Sequence, residues 1–516
     1  MSTTKSELDF GVTEVNQSRR IFLQRASLFA AAWPLAKAGL WAGEATPPVP
    51  APAGAIPGPL QKADPSGARL SMLFVPGEIT AREHCFDRIT PLVKHLPKPV
   101  LSPEKPWETM SIEAASVIYS PAEKLFRMWY VAWNKGPWGK HESGVPIHDN
   151  WTVTGRWFLC YAQSSDGIHW DRPALGLVKS KEFPDNNIIL ADSGLFLNLP
   201  TVIEDADDPD PGRRFKLFYY DHDGAGRDGG RTAVSPDGLH WQFVGDFPVL
   251  PTEDAPCLWH DRRNGLYVAF LKSRIDNKRS RMVSVSRDFA HWSPPTVLLT
   301  PDLGDAPTVQ FYDQCAFHQC GHDFGFMGRL DQATQKLDME LIVSARGGAD
   351  WRRLPTRPQM LAQGNVTDWD GTMVRCTQGE PIVMGDTCWV YYMGANAPHE
   401  VDCPYSVGLA TFPYGRLVGQ WFENDGWFQS APFLCPGGTL TLDAKATQPI
   451  SVEVWGCGYT GLQAGYSRKE CIPVEGDSRK HAIRWTTAAD LEYFRGKFIT
   501  LRVYGHNSVV YGASFA

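Results

Sequence analysis

A short polar turn that ends in His-Trp occurs three times in this sequence and constrains its fold more than any other feature. The copies lie at 165–170, 235–241 and 286–292, and a degraded copy lies at 344–351. Each follows an apolar run, and the first two contain Asp-Gly, which joins antiparallel strands because glycine accepts a positive φ and aspartate bonds its own turn. The copies recur roughly every 50–70 residues, near the period of one four-stranded propeller blade with insertions. The repeat therefore predicts a β-propeller in which each tryptophan caps the hydrophobic seam between neighbouring sheets.

Five strand-rich blocks support this interpretation. Each block contains a β-branched or aromatic strand, a polar turn and a second aromatic strand, and almost no stretch has the period of a helix. The second strands of the five blocks lie at 126–130, 215–220, 266–270, 324–327 and 388–392. Five such blocks predict a five-bladed β-propeller.

The repeat stops after about residue 415, where the pattern changes. Apolar and polar residues alternate at 450–454 and again at 499–503, with glycine-rich turns between such segments. Alternation of this kind is typical of a β-sandwich, in which each strand has one buried and one solvated face. We therefore predict an all-β protein, with a five-bladed β-propeller at 67–418 followed by a C-terminal β-sandwich at 419–516.

The N-terminal segment has the features of an export signal rather than of a folded domain. The run Ser18-Arg19-Arg20-Ile21-Phe22-Leu23-Gln24 resembles the twin-arginine export motif, and the apolar stretch after it is too short for a transmembrane helix. We predict a signal segment at 1–45 and a Pro/Ala-rich linker at 46–66. The partner implied is the twin-arginine export machinery, and the location expected is the periplasm or the medium outside the cell.

Charge and motif content exclude several classes of partner. The formal net charge is -7, which argues against nucleic acid or an anionic membrane surface as the main partner, because both reward a basic face. No glycine-rich phosphate loop follows a strand and opens a helix, so no redox cofactor is expected. No metal site is predicted, and the sequence is silent on oligomeric state.

Two acidic residues stand where a propeller would place catalytic groups. The innermost strand of each blade lines the central funnel, so site residues are expected near the start of those strands. Glu113 stands there in the first block and Asp254 in the third. Glycosidic cleavage needs two carboxyl groups, one to protonate the leaving oxygen and one to act as nucleophile or to activate water. We predict Glu113 as the nucleophile or general base and Asp254 as the general acid.

Six further residues are candidates for binding the substrate. They are polar or aromatic and lie near strand entries or in loops that would surround the funnel. Residue 138 lies within a long aromatic loop, and long loops in compact domains tend to be functional. The candidates are Asn198, Tyr312, Asp313, Trp138, Asp370 and His399.

The layout resembles the five-bladed propeller glycosidases with a C-terminal sandwich, the group that contains the β-fructosidases of glycoside hydrolase family 32, with arabinanases and xylosidases of family 43 as relatives. In the first block of the β-fructosidases a nucleophilic Asp precedes an apolar strand, and Glu113 occupies that register here. Their third block carries Glu-Cys-Pro-Asp-Leu-Phe with the Glu as acid, and 254–259 matches it with Asp254 in place of Glu. Their second block carries Arg-Asp-Pro, whereas Leu199 precedes Pro200 here, so the transition-state-stabilising Asp is missing.

The resemblance implies an exported glycoside hydrolase that cleaves an oligo- or polysaccharide. Two alternatives remain open from the residues alone. The missing Asp of the second block favours a non-catalytic carbohydrate-binding propeller. The repeated turns resemble the Asp box of the sialidases, which favours a sialidase-like glycosidase if three arginines converge in the funnel, the candidates being Arg82, Arg88, Arg274 and Arg346.

Overall fold

The structure is a computed structural model that describes residues 70–134, 145–148, 151–153, 156–191, 197–222, 227–344, 350–457 and 461–516. These residues form β-strands and two short 3-10 helices, Pro211–Arg213 and Glu492–Phe494, and contain no α-helix. The all-β prediction is therefore confirmed. None of the helices in this part of the chain has the length and apolar character needed to cross a membrane. Residue 138 lies outside the described residues, as do the signal segment and the linker.

Three strands precede the first strand group. They are β1 (Leu70–Leu73), β2 (Ile79–Ile89) and β3 (Val93–Lys94). Blade one contains β4 (Ser111–Ser120), β5 (Leu125–Asn134), β8 (Arg156–Ser164) and β9 (Ile188–Leu190), and the strands β6 (Val145–His148) and β7 (Trp151–Val153) between β5 and β8 form a separate two-stranded sheet. Blade two contains β10 (Asn198–Glu204), β11 (Phe215–His222), β12 (Asp228–Ser235) and β13 (Gln242–Val244).

The remaining strands follow in the same order as the chain. Blade three contains β14 (Glu253–Asp261), β15 (Leu266–Ile275), β16 (Lys278–Ser286) and β17 (Thr296–Leu299). Blade four contains β18 (Val309–Gln319), β19 (His322–Asp331), β20 (Lys336–Ser344) and β21 (Trp351–Arg353). Blade five contains β22 (Met373–Cys376), β23 (Ile382–Met384), β24 (Thr387–Ala395) and β25 (Ser406–Pro413). The C-terminal strands are β26 (Val418–Ser430), β27 (Phe433–Leu434), β28 (Leu440–Gly456), β29 (Gly461–Leu462), β30 (Cys471–Ile472), β31 (Val474–Ala482), β32 (Arg484–Trp485), β33 (Phe498–Gly505) and β34 (Val509–Phe515).

Blades one, two and three are separate four-stranded antiparallel sheets, ordered β4-β5-β8-β9, β10-β11-β12-β13 and β14-β15-β16-β17. Blades four and five are joined into one nine-stranded sheet by a single parallel pairing, Leu337 with Met373. The outermost strand of blade five is β3, which pairs with β25 through Lys94 and Ala410. A strand from the N-terminal side of the propeller therefore completes its last blade.

The repeated turns have one common geometry, and it corrects the position of the first copy. In that copy Ser164, not Ser165, is the serine equivalent to Ser235 and Ser286, because its Oγ accepts the N–H of Gly167 at 2.8 Å. Asp166 Oδ1 then accepts the N–H groups of the two residues that follow the glycine, each at 2.8 Å. All three copies are therefore seven residues long, and each turn satisfies its own backbone donors.

Each repeated turn contacts the blade that precedes its own, and the turn of blade one contacts blade five. Blade five in turn contacts blade four through Phe412 and Phe317, whose ring centroids lie 6.2 Å apart. The ring of sheets thus closes on itself, which is the arrangement of a β-propeller. The contacts of the turns are Tyr391 Oη with Gly167 O (2.8 Å), Trp129 Nε1 with Gly238 O (2.7 Å), Trp292 with Phe218 (ring centroids 6.1 Å) and Trp351 with Trp259 (6.1 Å).

Seven of the C-terminal strands form, with β1 and β2, a second nine-stranded sheet with its own core, and β30 pairs with β32 in a separate two-stranded sheet. The long strand β28 pairs with β31 and β34 near its start and with β33 near its end, so the sheet folds over on itself. The alternating residues Val452 and Val503 lie opposite each other in register and are fully buried. Strands β1 and β2 pair with β34 and β26, so residues 70–89 belong to this sheet, whereas the sequence prediction grouped them with the propeller.

Candidate active site

A β-bulge interrupts the innermost strand of each of the first four blades. A bulge inserts an extra residue that bends the strand and re-aims a side chain, and bulges are frequent beside active sites. In β10 and β14 the bulge holds Leu199 and Ala255 at positive φ values of 43° and 66°. Four predicted site residues, Glu113, Asn198, Asp254 and Tyr312, lie in or next to these bulges. The bulges fall between Ala114 and Ser116, Asn198 and Thr201, Glu253 and Cys257, and Phe311 and Gln314.

Asp254 is held in its ionised form by two donors. Its Oδ1 forms an ion pair with Nζ of Lys272 on β15, and its Oδ2 accepts the Tyr312 hydroxyl at 3.1 Å. Burial alone would raise the pKa of Asp254, but the charge of Lys272 and its hydrogen bond lower that pKa to about 2. The Lys272 side chain is 2% exposed, whereas that of Asp254 is 28% exposed. Asp254 is therefore a carboxylate that a substrate in the funnel can reach.

Glu113 has the opposite environment. It is 9% exposed, and its carboxyl has no hydrogen-bond partner among the described residues. Burial raises the pKa of Glu113, Arg375 partly offsets that effect, and the negative charge of Asp254 adds to it. The two carboxyl groups predicted from the sequence thus interact electrostatically across the funnel, and their environments move their pKa values in opposite directions.

Tyr312 lies at the centre of a group of cations. Nζ of Lys272 lies 4.4 Å from its ring centroid, and the guanidinium carbons of Arg375 and Arg279 lie at 5.1 and 5.8 Å. The ring of His399 meets it edge-on at 4.8 Å. Cations near an aromatic face are attracted by its quadrupole, so Tyr312 holds several positive charges close together.

His399 is neutral in this environment. Burial lowers the pKa of His399 to about 4, and the nearby charges of Arg279 and Arg375 act in the same direction. A neutral imidazole both donates and accepts a hydrogen bond, which suits the hydroxyl groups of a sugar. The structure thus places His399 against Tyr312, whose hydroxyl donates to Asp254.

Asp313 lies beneath the site rather than in it. Its side chain is fully buried, and its Oδ2 accepts Nε of Arg375 at 2.7 Å. The sequence predicted contact with the substrate, but this burial leaves Asp313 the role of holding Arg375 in place. Arg375 itself is 3% exposed and reaches from β22 of blade five towards Tyr312.

The side-chain amide of Asn198 has a buried acceptor that is not used. It is 7% exposed, and its Oδ1 has no hydrogen-bond partner in the described part of the chain. It lies opposite Tyr220 in the β10–β11 pairing, and the charge of Asp254 contributes to the raised pKa of Tyr220, whose first cause is burial. An unpaired buried amide oxygen is costly unless a ligand or water satisfies it, so Asn198 fits a contact with a sugar hydroxyl.

The structure does not bring Asp370 into this group. Its Oδ2 pairs with Lys94 at 2.7 Å and accepts the Tyr392 hydroxyl at 2.8 Å. Those partners lie on β3 and β24, so Asp370 braces blade five from within. The surroundings of Asp370 therefore do not support the predicted contact with the substrate, and Trp138 lies outside the described residues.

Sequence reasoning missed the cationic half of the site. The cations lie away from the entries of the inner strands, where the sequence predicts site residues. Lys272 is on the second strand of its blade, Arg279 is on the third, and Arg375 is within the first strand of blade five. A signal was present in the sequence, because Arg375 interrupts the apolar strand Met373–Cys376 and Lys272 directly follows the apolar run 267–271. Lysine and arginine are almost never fully buried unless they are paired.

The arginines proposed for a sialidase-like triad do not converge. Arg82 pairs with Asp87 within β2 at 2.8 Å, and Arg88 belongs to the same strand of the C-terminal sheet. Arg274 pairs with Glu253 at the rim of the funnel, at 3.1 Å. Arg346 lies outside the described residues.

No protein-family model matches this chain, and no curated protein matches it. Among solved structures, a β-1,2-mannobiose phosphorylase from Listeria innocua is similar over 62% of this chain and 96% of its own, with 13% identity and a TM-score of 0.45. A glycosyl hydrolase from Bacteroides ovatus covers 64% of this chain and 95% of its own, with 14% identity and a TM-score of 0.43. A family 32 β-fructofuranosidase from Bombyx mori covers 82% of this chain and 94% of its own, with 11% identity and a TM-score of 0.40. The resemblance to these enzymes is distant.

Proposed function

We propose that this protein is an exported glycoside hydrolase that cleaves an oligo- or polysaccharide in the propeller funnel. The observation that carries the proposal is the pair of carboxyl groups on the first strands of blades one and three, where the charge of Asp254 acts on Glu113, Glu113 having a raised pKa and Asp254 a pKa of about 2. Glycoside hydrolysis needs one carboxyl that keeps its proton and one that has lost it. The twin-arginine-like segment supports export to the periplasm or beyond.

The environments favour a division of roles opposite to the one predicted from the sequence. Glu113 retains its proton to higher pH and is suited to protonate the leaving oxygen. Asp254, held ionised by Lys272, is suited to act as the nucleophile or to activate water. The Tyr312 hydroxyl donates to Asp254 in the resting site and so orients the carboxylate that would attack.

The surrounding residues supply the contacts that a sugar needs. The unpaired Oδ1 of Asn198 can accept a hydroxyl proton, and His399 can donate or accept one. The Asp that the β-fructosidases carry in the second block has no counterpart here, because Leu199 stands in its position. The neighbouring Asn198 supplies an uncharged contact to the sugar instead. Residues from several blades would then position the reacting carbon between the two carboxyl groups.

Sugar release by the full chain tests this proposal, with fructans, arabinans, xylans and galactans as substrates. Glu113→Gln and Asp254→Asn are measured in parallel, and Asp370→Asn serves as the matched control because Asp370 is a buried carboxylate outside the site. We expect release by the wild type and by the control, and a loss of about 10²-fold or more in both site variants. Full activity in either site variant would contradict the assignment, and binding without cleavage would favour a carbohydrate-binding propeller.

A further inference from the structure

The positive charges of the candidate site are not all paired with carboxylates. Lys272 is balanced by Asp254, and Arg375 is balanced by Asp313. Neither Arg279 nor Arg281 has a carboxylate partner among the described residues, since Arg279 bonds the amide oxygen of Gln310, and Arg281 bonds backbone carbonyls. The positive charge of Arg279, which is only partly buried, is therefore not neutralised by direct contact with a described carboxylate.

Two arginine donors at this place are buried and unused. Nη2 of Arg375 and Nε of Arg279 have no hydrogen-bond partner within the described residues. Arg375 is 97% buried as a residue, since only 3% of it is exposed, and its other donor is fixed by Asp313. A buried guanidinium N–H without an acceptor is costly, and its natural acceptor is an oxyanion, which it binds with a planar fork of donors.

These donors belong to side chains that surround one aromatic ring. The guanidinium groups of Arg279 and Arg375 both lie within 6 Å of the Tyr312 ring centroid, as does the Lys272 amine. Three of the carboxylates near this ring have partners of their own, Asp254 with Lys272, Asp313 with Arg375 and Glu253 with Arg274, whereas Glu113 acts on Arg375 only through its charge. No described carboxylate therefore forms an ion pair with Arg279 or accepts Nη2 of Arg375.

We propose that the funnel recognises an acidic glycan, whose anionic substituent binds between Arg279 and Arg375 beside Tyr312. The substituent is an oxyanion carried by the sugar, the carboxylate of a uronic acid or a sulfate ester. This inference rests on the proposed function, because the same sugar ring would place its glycosidic bond between Glu113 and Asp254. It goes beyond that function by naming the charge of the substrate.

The first arm of the test measures cleavage. The full chain is supplied with pairs of glycans that differ in charge: glucuronoxylan with unsubstituted xylan, polygalacturonan with neutral galactan, and a sulfated galactan with its desulfated form. Each reaction is run with and without inorganic phosphate. We expect kcat/KM to be at least about tenfold higher for the acidic members, with a salt dependence that neutral glycans lack.

Variants assign the effect to Arg279. Arg279→Gln should lower kcat/KM for the acidic glycan by about tenfold to hundredfold, mainly through KM, which is the range for one charged hydrogen bond. Arg279→Lys, which keeps the charge, should recover part of that loss. Arg287→Gln removes an exposed charge in a repeated turn of blade three and should change nothing.

The second arm measures binding by calorimetry, so that the two proposals can fail separately. The probes are glucuronate, galacturonate and galactose 6-sulfate, each compared with glucose or galactose. Binding of a charged sugar that Arg279→Gln and salt both weaken, without cleavage of any glycan, supports the acidic ligand and overturns the hydrolase. Equal turnover or equal Kd for charged and neutral sugars, no binding of any charged sugar, or phosphate-dependent cleavage of a neutral glycan overturns the acidic ligand.

Discussion

Lys272 lies opposite Glu253 in the β14–β15 register, yet its amine pairs with Asp254. The bulge that follows Glu253 makes this possible, because it turns the next side chain towards the same part of the funnel. Glu253 is paired with Arg274 instead, at 3.1 Å. One irregularity in a strand thus selects which of two adjacent carboxylates enters the site and which stays at its rim.

Removing the Lys272 charge should move the acidic limb of the pH–activity profile. With the lysine in place, the pKa of Asp254 is about 2, so this carboxylate is ionised through the whole working range. In Lys272→Met, burial is opposed only by the charge of Arg279 and the Tyr312 hydrogen bond, so that pKa rises and the acidic limb of the profile moves to higher pH. The measurement is kcat/KM from pH 3 to 9, which reports groups of the free enzyme.

Lys278→Met is the matched control, because Lys278 lies at the tip of the β15–β16 hairpin and has no ion-pair partner among the described residues. It should leave the profile unchanged. Lys272→Arg should keep most of the acid tolerance, because it restores a positive charge at the same place. An acidic limb of Lys272→Met that coincides with that of the wild type would refute the role given to Lys272.

The loss of kcat in Glu113→Gln should increase with the basicity of the leaving group. The amide keeps the size of the side chain but cannot protonate the departing oxygen, so natural glycans should lose about 10²–10⁴-fold in kcat. Aryl glycosides with a dinitrophenyl leaving group need no proton and should lose far less. In the wild type, activity should also fall as pH rises through the raised pKa of Glu113, and the variant should lack this basic limb. Equal losses on both kinds of substrate would exclude Glu113 as the acid.

Arg281→Met should loosen two bulges at once. Arg281 is fully buried, and its guanidinium donates to the carbonyls of Tyr312 at 2.8 Å and Ala255 at 3.2 Å, on two neighbouring blades. Methionine would leave both carbonyls without this donor, at a cost of about 1–3 kcal/mol in the free energy of unfolding. Because the bulges carry Asp254 and Tyr312, kcat should fall as well.

Urea unfolding and steady-state kinetics on the same preparations test that prediction. Arg281→Lys keeps a donor and should show a smaller loss in both. A variant with methionine that unfolds at the same urea concentration as the wild type and keeps its kcat would show that the bulges do not depend on Arg281.

Local sequence patterns were sufficient to predict the strand content and the inner-strand positions of the site. Glu113, Asn198, Asp254 and Tyr312 could be chosen because each directly precedes or begins an apolar inner strand, a relationship visible within about ten residues. The serine-to-tryptophan turns were likewise visible, although only the hydrogen bonds to Ser164 showed where the first copy begins.

What could not be predicted depends on contacts that form only when the ring closes. Arg375 reaches the site from blade five, and Lys94, the partner of Asp370, comes from a strand that precedes the first blade. The same holds for the roles of the two carboxyl groups, because the pKa of Asp254 depends on Lys272 and that of Glu113 on burial by several blades. The sequence places residues 70–89 next to the propeller, but β1 and β2 pair with strands more than 300 residues away. A local pattern cannot reveal such a pairing, so the prediction groups these residues with the propeller.

The repeated turns should make the protein sensitive to acid, and Asp237 should show this. Burial alone would raise its pKa, but hydrogen bonds from the backbone and ring of His240 and from other donors of the turn lower that pKa to about 2. An unfolded aspartate titrates near 3.9, so the stability that Asp237 contributes is present above about pH 4 and is lost as pH falls towards 2. Asp237→Ala, which removes acceptors for two backbone N–H groups, should lower the free energy of unfolding by about 0.5–2 kcal/mol at pH 7, as for a lost helix cap, and by less at pH 2.

Urea unfolding at pH 7, 4, 3 and 2 measures this loss, and Asp207→Ala serves as an exposed control in a non-repeated turn. A loss for Asp237→Ala that is as large at pH 2 as at pH 7 would show that the carboxylate charge plays no part.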